Sequence, residues 1–404
     1  MNLKRIFKRN KILSGIGYSI RQNTYTFMMK RYKKIPTDGN KIFFMRGGGA
    51  YGDNAKAVAE YIHKNYPEVK LVWSYESSNS LNTLPNYIVP VKYETKDYFR
   101  EMATSRAWVC CNTLPLGTIK RKDQIYIQTW HADKGFKKFA NDAARDLESY
   151  RKKTNNRKFA ESEICDYFIT GADWFVPKIR SALDYSGKII NHGTPRNDCL
   201  IYIDIERKNE LKNKLGLSEN IKVLLYAPTF RDHSSSAEIV DSNIELQTIL
   251  TAMENKTGDK WVCLLRAHSG KQLIMNELIQ GEDFIDVTIY PDMADLLVIS
   301  DMLITDYSSC AGDFALTKGF ILLYQDDYES YTSKDRTLYF DISESPFFVA
   351  HNTSEALSII KMVDKNTVIK NCEDILKFYG SNESGQSAKE VTELIFNCTH
   401  NNIN

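Results

Sequence analysis

The chain has 404 residues, 43% of them apolar and 26% charged, with a formal net charge of +2. That is too long for a single hydrophobic core, which stops growing at about 250–300 residues, and too apolar and varied for a disordered or collagen-like chain. The longest uncharged apolar runs, such as Phe320–Tyr324, fall far short of the roughly 18–20 residues of a spanning helix. With no signal-peptide pattern after Met1, a folded two-domain protein that neither spans a membrane nor is secreted is expected.

The charge is unevenly placed. Residues 1–34 hold ten Lys or Arg and no Asp or Glu, which leaves the remainder at −8. Leu3, Ile6, Phe7, Leu13, Ile16 and Ile20 recur near helical spacing among those cations, while Gly15 and Gly17 weaken the helix. Such an arm reads as an interfacial anchor on an anionic membrane surface, with packing on the body as the alternative; the acidic remainder disfavours nucleic acid. Eight cysteines (110, 111, 165, 199, 263, 310, 372 and 398) with no CxxC read as reduced, mostly buried thiols of a cytosolic protein.

Beyond the arm, strand-like apolar runs alternate with helical patterns: strand 41–45, helix 54–64, strand 70–75, helix 98–105, strands 107–111, 124–130 and 188–191. A second series of strands follows at 222–226, 261–266, 284–287, 302–305 and 319–324, with helices between. The alternation predicts βαβ units on parallel sheets. A charged helix at 205–215 ending at Gly216 reads as a connector. The expected division is a basic arm at 1–34, an N-terminal α/β domain at 35–200, a connector at 201–220, a C-terminal α/β domain at 221–375, and a helix and tail at 376–404.

Gly47, Gly49 and Gly52 spell GxGxxG between a strand and a helix, with Glu76 ending the next strand, the pattern of a dinucleotide site. Asp53 would then place a second anion at the phosphate-binding helix, and nothing downstream resembles a hydride-transfer site. The glycines are read instead as a tight turn or as a turn that binds an acceptor.

Polar residues cluster where predicted strands end, the place where α/β domains bind ligands. In order they are a Gly-x-Tyr-x-Asp-Asn-x-Lys element (Gly49, Tyr51, Asp53, Asn54, Lys56), QTWH at 128–131, GTPRND at 193–198, APTFR at 227–231, Arg266-x-His268, and LITDYSS at 303–309. The ordered set resembles the CDP-glycerol glycerophosphotransferase family, the teichoic-acid primases and polymerases of Gram-positive envelopes, over residues 41–396. Two departures from that family pattern are Ala132, Asp133, Lys134 and Gly135 after the QTWH element, and Asp295 where a Glu is usual.

The resemblance implies an α/β, GT-B-like fold, with two Rossmann-type domains facing across a cleft. It also implies transfer of glycerol phosphate from CDP-glycerol, or ribitol phosphate from CDP-ribitol, to a hydroxyl of a lipid-linked saccharide or polyol-phosphate chain, with release of CMP at the inner face of the cell membrane. His131 would be the general base and His268 the stabiliser of the phosphoryl or leaving group. The donor would meet Thr229, Arg231, Arg266, Asp295, Thr305, Ser308 and Ser309; hydroxyls and amides at a helix start suit a diphosphate. Ser308 could equally cap that helix, Arg231 and Arg266 could equally be ion pairs, and Tyr290 with Asp295 either lines a cytidine pocket or packs and caps. The acceptor side would hold Asp53, Asn54, Lys56, Asp133, Lys137, Arg196, Asn197 and Asp198, while His192 is read as structural. With no HxH, HExxH or paired CxxC, no protein-held metal or other cofactor is expected, and the only metal compatible with this reading is Mg²⁺ carried loosely on the diphosphate. A GT-B glycosyltransferase using a nucleotide sugar is the competing enzyme and a non-catalytic envelope-polymer scaffold the competing non-enzyme.

Overall fold

The computed structural model describes residues 11–146, 158–229, 231, 243–267 and 281–400. Two sheets organise it, each wholly parallel. The first runs in the order β3-β2-β1-β4-β5-β6-β7, from β1 (Asp38–Met45), β2 (Lys70–Tyr75), β3 (Ile88–Lys92), β4 (Ser105–Cys110), β5 (Ile125–Gln128), β6 (Tyr167–Thr170) and β7 (Lys188–Asn191). The second runs β10-β9-β8-β11-β12-β13, from β8 (Lys222–Tyr226), β9 (Trp261–Leu265), β10 (Phe284–Asp286), β11 (Met302–Thr305), β12 (Phe320–Tyr324) and β13 (Phe348–Ala350).

Helices cover both faces of each sheet, so central strands are apolar throughout rather than alternating: Ile42, Phe43 and Phe44 of β1 and Leu303 and Ile304 of β11 are all solvent-free. Three strands escape the sequence pattern. β3 carries Pro90 and lies at a sheet edge, where a strand tolerates proline. β6 has four residues and β13 three, too few to show a period.

Strand order reverses between β1 and β4 in the first sheet and between β8 and β11 in the second. These switch points open crevices at the carboxyl ends of the strands, and the two crevices share one cleft. A short interdomain ribbon closes one side of it, where Lys137 pairs antiparallel with Leu338 and the Tyr339 amide donates to the Phe136 carbonyl at 2.8 Å.

The chain crosses back at its end. Helix Lys365–Tyr379 packs on the second sheet and stops at Gly380, which is left-handed. The segment after it returns to the first sheet, where Val391 and Ile395 of helix Ser387–His400 enter the core with Ile42, Val58 and Ile62. The described part of the expected tail, residues 376–400, thus packs on both halves.

The described part of the basic arm is helix Lys11–Tyr32. One face is core, since Tyr25 and Met29 are each 1% exposed and Tyr25 stands edge-on to Phe99 at 4.8 Å. The opposite face leaves Ile20 and Phe27 more than half exposed. Leu3, Ile6 and Phe7 lie outside the described residues.

The glycine-rich turn has a structural account. Gly49 is left-handed at φ +73°, and a Cβ there would meet the Tyr75 backbone at 2.6 Å. Its amides are already occupied: Gly47 donates to Asn112 Oδ1 at 2.6 Å, Gly48 to Glu76 Oε1 at 2.9 Å and Gly49 to the Arg46 carbonyl at 2.9 Å. Glu76 serves the turn itself, so neither it nor the amides are set out for a dinucleotide.

Candidate active site

β5 ends at Gln128, whose Oε1 accepts from the Trp130 amide at 2.9 Å. Trp130 then takes φ +52°, a left-handed conformation that a bulky residue adopts only when its surroundings impose it. His131 follows at the cleft wall. Its Nδ1 lies 2.9 Å from the carbonyl oxygen of Cys111, just past β4. A carbonyl only accepts, so the neutral ring carries its proton on Nδ1 and keeps the lone pair on Nε2. Solvent reaches the ring through the cleft, but the walls crowd it; that desolvation lowers its pKa, while Asp53 and the Cys111 carbonyl pull the other way. The imidazole is therefore neutral at pH 7.

Asn54, with no solvent exposure, joins three separated motifs. Its Nδ2 donates to the carbonyls of Thr129 (3.1 Å) and Trp130 (3.0 Å), and its Oδ1 accepts from the Arg196 amide at 2.9 Å. Asp53 beside it is also left-handed, at φ +63°. The Arg196 guanidinium then spans the domains, reaching Asp313 at 3.0 Å, Asp133 at 3.1 Å and Asp53 at 3.3 Å. Next to it Lys134, fully enclosed, meets Glu383 at 2.6 Å and Asp313 at 3.3 Å. Burial alone would lower this lysine's pKa; Asp133, Glu383 and Asp313 outweigh that and raise it. A second interdomain tie joins Lys56 to Asp292 at 2.7 Å and to Asp295 at 2.9 Å.

The cleft holds about 520 Å³, within the range of small-molecule sites. Arg46, Lys137 and Arg266 line it, and none has a carboxylate within ion-pair distance among the described residues. Arg266 donates to the Tyr290 carbonyl at 2.9 Å and Arg46 to that of Ala50 at 3.4 Å. Desolvation brings Lys137 down to about 8, with Asp306 opposing the shift. Facing these cations are Ser308, Ser309 and Thr229. The Ser309 side chain makes no capping bond, and Thr229 Oγ1 is buried without a partner. Three unpaired cations and three hydroxyls around one cavity make an anion site, with a neutral imidazole on the same wall.

Residues 26–397 match the family model for CDP-Glycerol:Poly(glycerophosphate) glycerophosphotransferase. The chain belongs to that family. A teichoic acid poly(glycerol phosphate) polymerase of Bacillus spizizenii is 30% identical over 91% of this chain and 95% of the relative. A polymerase of the same description from Bacillus subtilis is 29% identical over 97% of this chain, which spans 53% of that longer protein, about half its length. Solved structures of the wall teichoic acid polymerase TagF share the fold: one, a histidine variant soaked with CDPG, gives a TM-score of 0.78 at 25% identity, with 97% of this chain and 99% of the other covered. The chain thus shares its family and its two-domain parallel-sheet fold with the TagF polymerase.

Against that identification the predicted residues divide in two. The cleft gathers His131, Thr229, Arg266, Ser308, Ser309, Asp53, Arg196 and Lys137, so Lys137, read as acceptor-side, shares one cavity with the donor-side serines. His268 lies outside the described residues.

The others are placed elsewhere. Arg231 is held by Asp327 at 2.6 Å and Asp306 at 2.8 Å, with its guanidinium 4.7 Å from the Tyr331 ring centroid, and it is absent from the cleft wall. Thr305 donates to the Ala227 carbonyl at 2.6 Å. Asp295 takes Lys56 and also Arg207 at 3.0 Å, Tyr290 turns its hydroxyl to it, and it lines a neighbouring cavity rather than the main cleft. Asn54, Lys56, Asp133 and Asn197 are hydrogen-bonded or ion-paired between elements. Asp198 caps the C-terminal helix by accepting from the Ser387 and Ala388 amides at 2.9 and 2.8 Å. Sequence reading missed Arg46, Lys134, Asp313 and Glu383. Arg46 was findable as a cation at the end of a central strand; Glu383 was not, because only the returning chain brings it to Lys134.

Proposed function

We propose that the protein transfers glycerol phosphate from CDP-glycerol to a hydroxyl of a lipid-linked saccharide or polyol-phosphate chain, releasing CMP. One observation carries this reading: His131, with Nδ1 committed to the Cys111 carbonyl, opens onto the same cavity as the unpaired Arg46, Lys137 and Arg266. The acceptor oxygen attacks the phosphorus that bears glycerol, and His131 Nε2 takes its proton. The bond from that phosphorus to the CMP oxygen breaks, and its electron pair leaves with CMP. The cations neutralise charge spreading over the phosphoryl oxygens and the leaving phosphate, in a walled site where such interactions are strong. Ser308, Ser309 and Thr229 supply hydroxyl donors to the diphosphate. His268 is carried into this proposal as the stabiliser of the phosphoryl or leaving group.

No described helix is long and apolar enough to cross a membrane. The outward face of helix Lys11–Tyr32 carries Ile20 and Phe27, with Lys30, Arg31, Lys33 and Lys34 exposed at and beyond its end. This suits peripheral attachment to an anionic inner leaflet, where a lipid-linked acceptor is found.

The test is incubation with labelled CDP-glycerol, and in parallel CDP-ribitol, plus a lipid-linked acceptor. CMP release with a new phosphodiester from CDP-glycerol is expected. A glycosidic product from a nucleotide sugar, or CMP release from CDP-ribitol alone, would replace the reading.

A further inference from the structure

The base needs more than a histidine at the right point in the chain. It needs a strap that holds an unfavourable conformation, and the structure shows what holds it. Trp130 is left-handed at φ +52°, its ring stacked 4.9 Å from that of His131, and the turn is reached from β5 without any glycine. A bulky residue stays in that region only if its carbonyl and amide are fixed from outside. The amide is fixed by Gln128 Oε1. The two carbonyls before His131, those of Thr129 and Trp130, are both fixed by Asn54 Nδ2, while Asn54 Oδ1 is fixed by the Arg196 amide. Every hydrogen-bonding atom of this buried amide is used, and a primary amide alone among small side chains offers two donors to carbonyls on one side and an acceptor on the other.

We infer that Asn54 is a positioning residue for the transfer reaction: it holds the Thr129–Trp130 strap so that His131 meets the Cys111 carbonyl through Nδ1 and presents Nε2 to the acceptor hydroxyl. The inference rests on His131 being the base. It moves Asn54 from an acceptor contact to a support that touches neither substrate. Asp53 shares the arrangement: it is left-handed beside Asn54, and its Oδ1 accepts from the Asn54 amide at 2.8 Å, so the helix start is itself bent to bring the side chain under the strap.

The experiment compares Asn54→Asp, Asn54→Ser and His131→Ala in the full chain. Asn54→Asp keeps the volume and the acceptor for Arg196 but loses both N–H donors; Asn54→Ser keeps one donor. Displacing a catalytic group by about an ångström costs roughly a hundredfold. Turnover of Asn54→Asp is expected to fall by about that factor and of Asn54→Ser by less, with calorimetric affinity for CDP-glycerol within about twofold of the parent. The ¹⁵N spectrum of the His131 ring, which reads the tautomer without activity, should show the Nδ1–H form in the parent and a mixture in Asn54→Asp. Should Asn54→Asp not fold, the Ser variant carries the test with the same two readouts. Folded variants with parental turnover, or variants losing activity only in proportion to folded fraction with an unchanged ¹⁵N spectrum, would overturn the inference. Parental turnover in His131→Ala would remove the base itself, a separate outcome.

Discussion

Lys56 Nζ stands 2.7 Å from Asp292 Oδ2 and ties the first helix after the glycine-rich turn to the second domain. Both groups are buried. Desolvation alone would lower the lysine's pKa, but Asp292 and Asp295 raise it; desolvation alone would raise that of Asp292, but Lys56 lowers it. The tie therefore acts fully between the ordinary carboxylate and lysine values and is lost as acid takes the pH down through the depressed pKa of Asp292. Lys56→Met would leave buried Asp292 without its cation, while Asp295 would keep Arg207. A stability loss of about 3–5 kcal/mol is expected in urea denaturation at pH 7, shrinking toward pH 3. A loss below about 1 kcal/mol would show that the interface opens and hydrates instead.

His131→Ala should lower turnover by about 10²–10⁴, the usual cost of losing a general base. CDP-glycerol affinity should hold, because the lost contact is with the acceptor. His192→Ala is the control: its side chain is mostly exposed, 3.4 Å from Glu390 and away from the cleft. CMP-release kinetics and calorimetry check both. Parental turnover in His131→Ala would shift the search to Asp53, the carboxylate on the same wall.

Lys137 gives the donor site a pH dependence. With a pKa brought down to about 8 by desolvation, the side chain is cationic at pH 7 and neutral by pH 9. Affinity for the anionic donor should be full below pH 7 and fall as the pH rises through about 8; Lys137→Gln should bind more weakly and with that step removed. Unfolding through this group does not mimic the effect. Its folded pKa lies below the unfolded value, so between about 8 and 10.5 the unfolded chain holds more protons and this group's contribution to stability rises with pH. A step of parental size in Lys137→Gln would assign it elsewhere.

The two faces of helix Lys11–Tyr32 should separate on mutation. Tyr25→Ala removes a side chain that is 1% exposed, edge-on to Phe99 and bonded to Glu94 at 3.0 Å. A destabilisation of about 3 kcal/mol is expected in thermal or urea unfolding. Ile20→Ser with Phe27→Ser should change stability by no more than about 0.5 kcal/mol yet weaken sedimentation with anionic vesicles at low salt. Unchanged vesicle binding by the double variant would take this helix out of the membrane proposal.

The α/β class and most strands were legible in the sequence because parallel strands buried on both faces must be short apolar runs, and those at Lys222–Tyr226 and Met302–Thr305 needed no partner to be seen. The ordered motifs were legible for a related reason, since ligand-facing residues of such sheets sit at strand ends. What each motif residue does was decided only by tertiary contact. Arg231 and Arg266 look alike in sequence, each a cation beyond a central strand, yet Asp306 and Asp327 neutralise one while the other lines the cavity and, among the described residues, donates to the Tyr290 carbonyl alone. Asn54 and Lys56 sit two residues apart on one helix; the first closes on the His131 strap and the second on another domain. Lys134 and Glu383 are 249 residues apart and 2.6 Å distant. Charge pairing inside a protein is set by which groups burial brings within a few ångströms, and no local pattern records that distance.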